Sequence, residues 1–187
     1  MIFAEKRDPR LVTIRRGGTL TDDDHHLLAL WAADCAEHVL VFFEQVCPDD
    51  PRPRQAIELA RAWTRGEATM AESRQGAFAA NAAARDLVGA AREAAHAAGQ
   101  AAAVPHVGEH ELGAAAYGIR AARAGAGKEA SQEAGRAECQ WQRDQLPDAI
   151  RELVLEDQVR RNAKCWNVFE PIEGMDRESG RSKFRTE

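Results

Sequence analysis

The sequence predicts an all-α protein, an antiparallel bundle of about six helices. Strand patterns are nearly absent, because only residues 11–14 alternate like a strand before a turn at residues 16–18. Apolar residues recur with helical spacing in successive segments, and short stretches containing proline or glycine separate these segments. Alanine is abundant between residues 77 and 126, and its small side chain lets helix axes approach closely, so we expect this region at the centre of the bundle.

Composition and charge narrow the class of protein. The chain has 187 residues, enough for one domain with a sizeable core. Its 25 Lys and Arg residues against 30 Asp and Glu residues give a net charge of −5, which argues against general binding to nucleic acid. No apolar run approaches the roughly 20 residues that cross a bilayer, and the N-terminus lacks the apolar middle of a signal peptide. We therefore expect a cytoplasmic protein that binds neither nucleic acid nor membranes.

The cysteines do not predict a metal or redox motif. Cys35, Cys47, Cys139 and Cys165 are widely spaced and form no C-x-x-C pair. We expect free thiols, as is typical of a reducing compartment.

The first two helices have clear boundaries. The first covers residues 21–46, with Thr21 as its N-cap and three aspartates at the positive end of the helix dipole. The second begins at Pro51 or Pro53, where proline fits the first turn, and ends at Gly66.

The next two helices are the alanine-rich ones. Thr69 and Glu72 form a capping box that starts a long third helix over residues 69–103. Pro105 permits a new start, so the fourth helix is expected over residues 105–124. Together with the first helix, these two should supply the centre of the bundle.

The C-terminal part of the chain completes the bundle. Ser131 can cap a fifth helix that ends at residue 145, and Pro147 opens a sixth that ends near residue 166. The last residues are charged and aperiodic. The predicted organisation is an N-terminal arm (1–20), a single helical-bundle domain (21–169) and a flexible charged tail (170–187).

Polar residues on the first helix suggest a site. A helical projection places His38 in the middle of the apolar face and Asp34 at its edge, whereas Glu37 points toward solvent. A buried histidine beside an aspartate needs hydrogen-bond partners, since an unpaired buried polar group costs about 1–3 kcal/mol.

Residues 106–110 of the fourth helix read His-x-x-Glu-His, the order found in inverted zinc peptidases. In a helix, however, Glu109 would lie about 100° from His110, away from the stripe that His106, His110 and Tyr117 share. A peptidase also needs a further ligand and a base beside the bound water. The motif alone therefore does not predict a peptidase.

Three interpretations of these residues stay open. Asp34 and His38, like His106 and His110, are spaced i, i+4, and the four could hold a divalent metal such as zinc or iron if the two helices face each other. No other cofactor is expected. Without a metal, the histidines could line a ligand pocket or transfer protons near neutral pH. Alternatively, Asp34, Glu37 and backbone carbonyls could simply satisfy the histidines inside the bundle.

Two further surfaces could contact a partner. On the third helix, one face carries Arg85, Arg92, His96 and Gln100, which indicates either a solvated face or an anion-binding wall. Trp141 lies among amide side chains, where a tryptophan most often packs against a neighbouring helix and less often contacts a partner.

Four segments of the chain read LWAADCAEHVL, DDPRPRQAIELARAW, AAREAAHAAGQAA and HELGAAAYGIRAA. Together they resemble a bacterial family, common in actinobacteria, that is described as "putative immunity protein" and is named after an immunity protein of polymorphic toxin systems. The resemblance extends over residues 8–169 and implies a small, all-helical cytoplasmic protein of the immunity type. The resemblance does not identify any catalytic residues in this chain. Seven positions match the family's sequence segments, and we expect them to bind a ligand: Asp34, Glu37, His38, His96, His106, His110 and Tyr117.

These observations predict two classes of function. The first is an immunity or self-resistance protein that sequesters a protein toxin or a small molecule. The second is a small enzyme of specialised metabolism in which Asp34, His38, His106 and His110 perform acid–base chemistry between the first and fourth helices. A closed, histidine-lined cavity would favour a small molecule, whereas a filled core with an exposed patch would favour a protein partner. An alanine-rich bundle of this size could also form a homodimer.

Overall fold

The computed structural model describes residues 7–175 and contains eight α-helices within that range. They are α1 (Asp22–His38), α2 (Val41–Glu44), α3 (Arg52–Thr64), α4 (Met70–Ala83), α5 (Gly89–Ala103), α6 (Glu111–Gly125), α7 (Gly127–Asp144) and α8 (Asp148–Arg161). Four short 3₁₀ helices lie at Pro9–Leu11, Ile14–Arg16, Gly108–His110 and Asn162–Cys165. The predicted all-α class is therefore confirmed.

The strand predicted at residues 11–14 is wrong. This segment forms the end of one 3₁₀ turn and the start of the next, and a single isolated bridge joins Thr13 to Leu20. The N-terminal arm nevertheless packs into the core, since Leu11 and Leu20 are both buried. Two apolar side chains thus anchor the arm, which is enough to fix it without a strand partner.

Two helix starts follow from local sequence as predicted. The Thr21 hydroxyl accepts a hydrogen bond from the Asp24 amide at 3.1 Å. Thr69 accepts one from the Glu72 amide at 3.2 Å, and the Glu72 carboxylate accepts the Thr69 amide proton at 2.7 Å. These caps satisfy amide groups that have no partner inside the helix.

The predicted helix over residues 69–103 is wrong, because the chain breaks between α4 and α5. Gly89 has a φ of +63°, a left-handed conformation that glycine adopts at low cost. The break lets α4 fold back antiparallel to α5, and the Ser73 hydroxyl donates to the Ala102 carbonyl at 2.9 Å. Alanine side chains of the two helices are then buried against each other, which a single straight helix could not achieve.

Other predicted boundaries also shift. The first helix ends at His38, and the chain turns through buried Val39 and Leu40 before α2. The predicted fourth helix corresponds to α6, which begins at Glu111. His106 therefore precedes this helix, and the helical projection does not apply to that residue. The predicted fifth helix corresponds to α7 and begins at Gly127. The predicted sixth helix corresponds to α8 and ends at Arg161.

The centre of the bundle is formed by α5 and α6, which pack on each other and on α1, as predicted. Alanines fill it, with Ala97, Ala98 and Ala101 of α5 and Ala114 and Ala115 of α6 fully buried. Beyond residue 167 the chain returns over α7 and α8: Phe169 is buried, and Arg143 donates to the Glu170 carbonyl at 2.6 Å. Residues 176–187 of the predicted tail lie outside the described part.

Within residues 7–175, no helix is both long enough and apolar enough to span a membrane.

Candidate functional site

Two of the polar residues predicted to form a site on the first helix, Asp34 and Glu37, lie at the surface between α1 and α3, where an arginine of α3 binds them. Arg61 of α3 donates to Asp34 at 2.7 Å and to Glu37 at 2.6 Å. This arginine lowers the pKa of Glu37, chiefly through that hydrogen bond. Both carboxylates keep more than a third of their side-chain surface exposed, so they form a surface ion-pair cluster and do not line a pocket.

His38 lies at the end of α1 and contacts α7. Its side chain is 42% exposed, so the prediction that it lies in the middle of the apolar face is wrong, because the helix ends at this residue. The ring nitrogen Nδ1 donates to the buried Glu138 carboxylate at 2.7 Å. The ring also stacks on Trp141, with centroids 3.6 Å apart. Trp141 thus packs against a neighbouring helix, which is the more common of the two environments that its sequence context predicted.

Glu138 and Gln142, which sequence reasoning did not identify as site residues, hold this histidine in place. The Gln142 amide nitrogen donates to the second Glu138 oxygen at 2.8 Å and to the Ala115 carbonyl of α6 at 3.2 Å. Both side chains are buried. Their i, i+4 spacing on α7 was the only available sequence signal, and such pairs most often lie on a solvated face.

His106 and His110 lie together before and at the start of α6. His110 Nδ1 donates to the Gln100 amide oxygen at 2.8 Å, and burial lowers the pKa of His110 to about 4. His106 precedes the helix, and its Nδ1 atom is buried without a hydrogen-bond partner among the described residues.

The two predicted pairs do not face each other. His25, near the start of α1, donates to the Val104 carbonyl at 2.8 Å, which places this end of α1 beside the His106 segment. His38 lies 13 residues further along the helix, about 20 Å away at 1.5 Å per residue. The predicted pocket of Asp34, His38, His106 and His110 is therefore not formed. Between residues 7 and 175 no group of three or more His, Cys, Asp or Glu side chains is placed to hold a metal ion.

The glutamate of the His-x-x-Glu-His motif belongs to a buried ionic cluster at the junction of α6 and α8. Arg161 donates to the Glu109 carbonyl at 2.9 Å and to the Glu111 carboxylate at 2.8 Å, and it also binds Asp157. Arg7 donates to the Glu109 carboxylate. Burial raises the pKa of Glu111 well above its ordinary range. Sequence reasoning missed this cluster because its members are far apart in the chain.

Two other predicted residues, His96 and Tyr117, do come together on the surface of α5 and α6. Their ring centroids lie 5.0 Å apart, and Tyr117 lies 5.1 Å from Trp166 on its other side. His96 Nδ1 donates to the Asn81 side-chain oxygen of α4 at 2.8 Å. One row of side chains therefore crosses α4, α5, α6 and the segment after α8.

A glycine makes room for this row. A Cβ atom at Gly99 would lie 2.8 Å from the Asn81 amide nitrogen, which is too close for an ordinary contact. The glycine thus lets the Asn81 side chain lie across α5, where it also donates to the Ala77 carbonyl at 2.8 Å. This anchoring fixes the position of His96.

Trp166 ends the row and is held in an unusual backbone conformation. Its φ of 57° is left-handed, as is that of Asn167 at 53°, and non-glycine residues adopt this region only when the surrounding structure holds them there. The indole remains 44% exposed. The Arg120 guanidinium lies 4.1 Å from its ring centroid, and Glu93 holds that guanidinium at 2.9 Å. The strain thus maintains a large aromatic ring in contact with solvent.

We name this surface the aromatic belt: Asn81, His96, Tyr117, Arg120 and Trp166. Burial lowers the pKa of His96 and raises that of Tyr117, so both are neutral at neutral pH. The side chains of the belt can make aromatic contacts and hydrogen bonds, and none of them is an activated nucleophile. The belt is suited to recognition more than to covalent chemistry.

Two clefts lie elsewhere, on either side of the segment at Glu170 and Pro171. Their volumes are about 290 and 390 Å³. Neither is lined by any of the residues that the sequence singled out as ligand-binding.

Comparison with known proteins gives a family match. The model of a family described as "Imm-5 like putative immunity protein" matches residues 18–149, which is more than half of the chain. No curated protein and no solved structure matches significantly. The matched segment includes every residue of the aromatic belt except Trp166.

Proposed function

Because this chain belongs to the Imm-5 like putative immunity protein family, we propose that it is an immunity-type protein that acts by binding a protein partner through the aromatic belt. The single observation that carries the choice of surface is Trp166, an exposed indole fixed by a strained backbone and by Arg120. Trp, Tyr and Arg are the residue types that most often dominate the binding energy of protein interfaces, and the belt contains all three.

The packing of the bundle supports a protein partner over an enclosed small molecule. Alanines fill the space between α5 and α6, and the histidines of the sequence motif lie apart from His38. The belt, by contrast, is a row of partly exposed side chains across four elements, which suits a broad contact with another protein. A cytoplasmic location, the absence of a cofactor and a possible homodimer stay predictions.

Rigidity of the belt also favours binding. His96 is fixed by Asn81, and Arg120 is fixed by Glu93 through a hydrogen bond at 3.0 Å and an ion-pair contact at 2.9 Å. Side chains that are already ordered lose less conformational entropy when a partner binds. The belt is therefore preorganised in the free protein.

The test uses the proteins encoded by the genes that flank this one, each purified separately, because immunity proteins of toxin systems are encoded beside their toxins. Binding is measured by calorimetry with the full chain and with Trp166→Ala. We expect one flanking product to bind, and we expect Trp166→Ala to weaken its Kd by about thirtyfold, the effect of a strong interface residue.

Val46→Ala is the matched control, because Val46 is an exposed apolar residue after α2, outside the belt. It should change the Kd by less than about twofold. Circular dichroism of each variant checks that the fold is kept. Failure of every flanking product to bind, or an equal Kd for the full chain and Trp166→Ala, would overturn the proposal.

A further inference from the structure

We propose that the partner presents an acidic surface, and that the aromatic belt is the middle of a larger cationic face on α4, α5 and α6. This inference rests on the proposed function, since it names the chemistry of the partner that the belt would bind. It is carried by the extent of the exposed surface, by the pairing of the arginines and by the overall charge of the chain.

The surface continues from the belt along α4. Phe78 is 61% exposed, and the Arg74 guanidinium lies 5.4 Å from its ring centroid. Phe78 and Asn81 are spaced i, i+3, so they share one side of α4. An exposed aromatic ring and an arginine therefore extend the row of side chains that begins at Trp166.

Several cations of α4, α5 and the adjoining segments have no internal partner among the described residues, whereas Arg120 of the belt binds Glu93. Arg74, Arg85 and Arg92 are exposed, and none has a carboxylate within ion-pair distance in the described part of the chain. Arg92 lies near the belt, because it precedes His96 by one turn (i, i+4) on α5. Lys164, two residues before Trp166, is likewise exposed and unpaired among residues 7–175.

The arginines of α3 provide the contrast. Arg54 binds Glu44 at 2.6 Å, and Arg61 binds Asp34 and Glu37. At the two ends of this helix, Arg52 binds Asp50 at 2.6 Å and Arg65 binds Glu67 at 2.7 Å. In a chain with a net charge of −5, carboxylates are plentiful, yet they neutralise the arginines of α3 and leave Arg74 of α4, Arg92 of α5 and Arg85 between these helices without an ion pair in the described part of the chain.

Unpaired arginines beside exposed aromatic rings complement carboxylates on another protein. Such charges steer association and lose little solvation at the rim of an interface. A single-stranded nucleic acid also binds arginine and aromatic side chains. The match to an immunity protein family favours a protein partner over a nucleic acid. The observations therefore favour an acidic protein surface.

The experiment measures the Kd of the flanking gene product that binds the full chain, at ionic strengths of about 0.05 and about 0.5 M. The variants are Arg92→Glu beside the belt and Arg85→Glu in the turn between α4 and α5. Arg65→Glu is the matched control, because it makes the same change in net charge at an exposed arginine outside the belt, at the end of α3. A short thymidine oligonucleotide is titrated in parallel as the nucleic-acid probe.

We expect Arg92→Glu to weaken the Kd by roughly tenfold at the lower ionic strength, with Arg85→Glu acting in the same direction and Arg65→Glu changing it by less than about twofold. The affinity of the full chain should fall by roughly tenfold at the higher ionic strength, where screening is nearly complete. The oligonucleotide should not compete with the partner.

Three failures are distinguishable. If Trp166→Ala weakens binding while Arg85→Glu, Arg92→Glu and salt leave it unchanged, the acidic partner is refuted and the binding surface stands. If Trp166→Ala also has no effect, the proposed function itself fails. Tight binding of the oligonucleotide that is lost in Arg92→Glu would refute the protein partner in favour of nucleic acid.

Discussion

Arginine has opposite roles in two regions of this molecule. In the ionic cluster, the Arg161 side chain is fully buried and binds Asp157, Glu111 and the Glu109 carbonyl. On the cationic face, Arg92 is exposed and has no carboxylate partner among the described residues. A buried arginine is constrained by the groups that it neutralises, whereas an exposed one is free to contact another molecule. The comparison separates residues that hold the fold from residues available for binding.

The largest effect should come from removing the buried arginine. Arg161→Met should lower the free energy of unfolding by about 3–5 kcal/mol, because it leaves the Glu111 carboxylate buried without its cation and leaves Asp157 with Arg160 alone. Arg92→Met, the matched substitution on the cationic face, should change it by less than about 0.5 kcal/mol. Urea unfolding followed by circular dichroism measures both. Equal effects of the two variants would contradict the distinction.

The buried region should also respond to pH. The folded protein protonates His110 only near pH 4, whereas the unfolded chain does so near the ordinary pKa of 6.5. The unfolded state thus binds more protons between these values, so this residue destabilises the fold as the pH falls from about 6.5 to about 4, by roughly 3 kcal/mol in total.

The measurement compares the pH dependence of the unfolding free energy in the full chain and in His110→Gln. The difference between the two proteins should grow as the pH falls, because glutamine does not titrate. A constant difference between about pH 7 and about pH 4 would show that His110 is not buried in its neutral form.

A smaller effect is expected within the aromatic belt. Arg120 and Trp166 should be coupled by about 0.5–1 kcal/mol, the size of a cation–π contact at a partly exposed site. A double-mutant cycle with Arg120→Met and Trp166→Leu, measured as unfolding free energy, isolates this term. Strict additivity of the two substitutions would show that the contact does not order the indole.

An effect of the same small size is expected on α3. Arg61→Ala should cost about 0.5–1 kcal/mol, since its carboxylate partners are exposed and water screens the ion pairs. Thermal unfolding at low and at high salt measures this cost, which should shrink at high salt. A loss as large as that of Arg161→Met would mean that the surface cluster has a structural role like that of the buried one.

The sequence was informative about the fold wherever a signal was local. Thr21 and the Thr69–Glu72 capping box marked true helix starts, because a cap depends on residues three positions apart. The break before Gly89 was missed, since alanine-rich segments favour a helix on both sides and only tertiary packing decides where the chain reverses. His106 was misplaced for a similar reason: proline permits a helix start without requiring it.

The candidate site could be predicted only in part. His96 and Tyr117 were singled out and do lie side by side, but Trp166 was assigned to the end of a helix. Its ring contacts Arg120 and Tyr117, which are distant in sequence, so no local pattern predicts where it lies. The ionic cluster was missed for the same physical reason, because burial of a charge is decided by partners that local periodicity does not reveal.

Hydrogen–deuterium exchange of the free protein and of its complex with the binding product of a flanking gene locates the binding surface. We expect slower exchange on binding at residues 84–92 and 162–167, around Arg92 and Trp166, with no change in α3. Protection confined to α3, with residues 84–92 and 162–167 unchanged, would contradict this expectation.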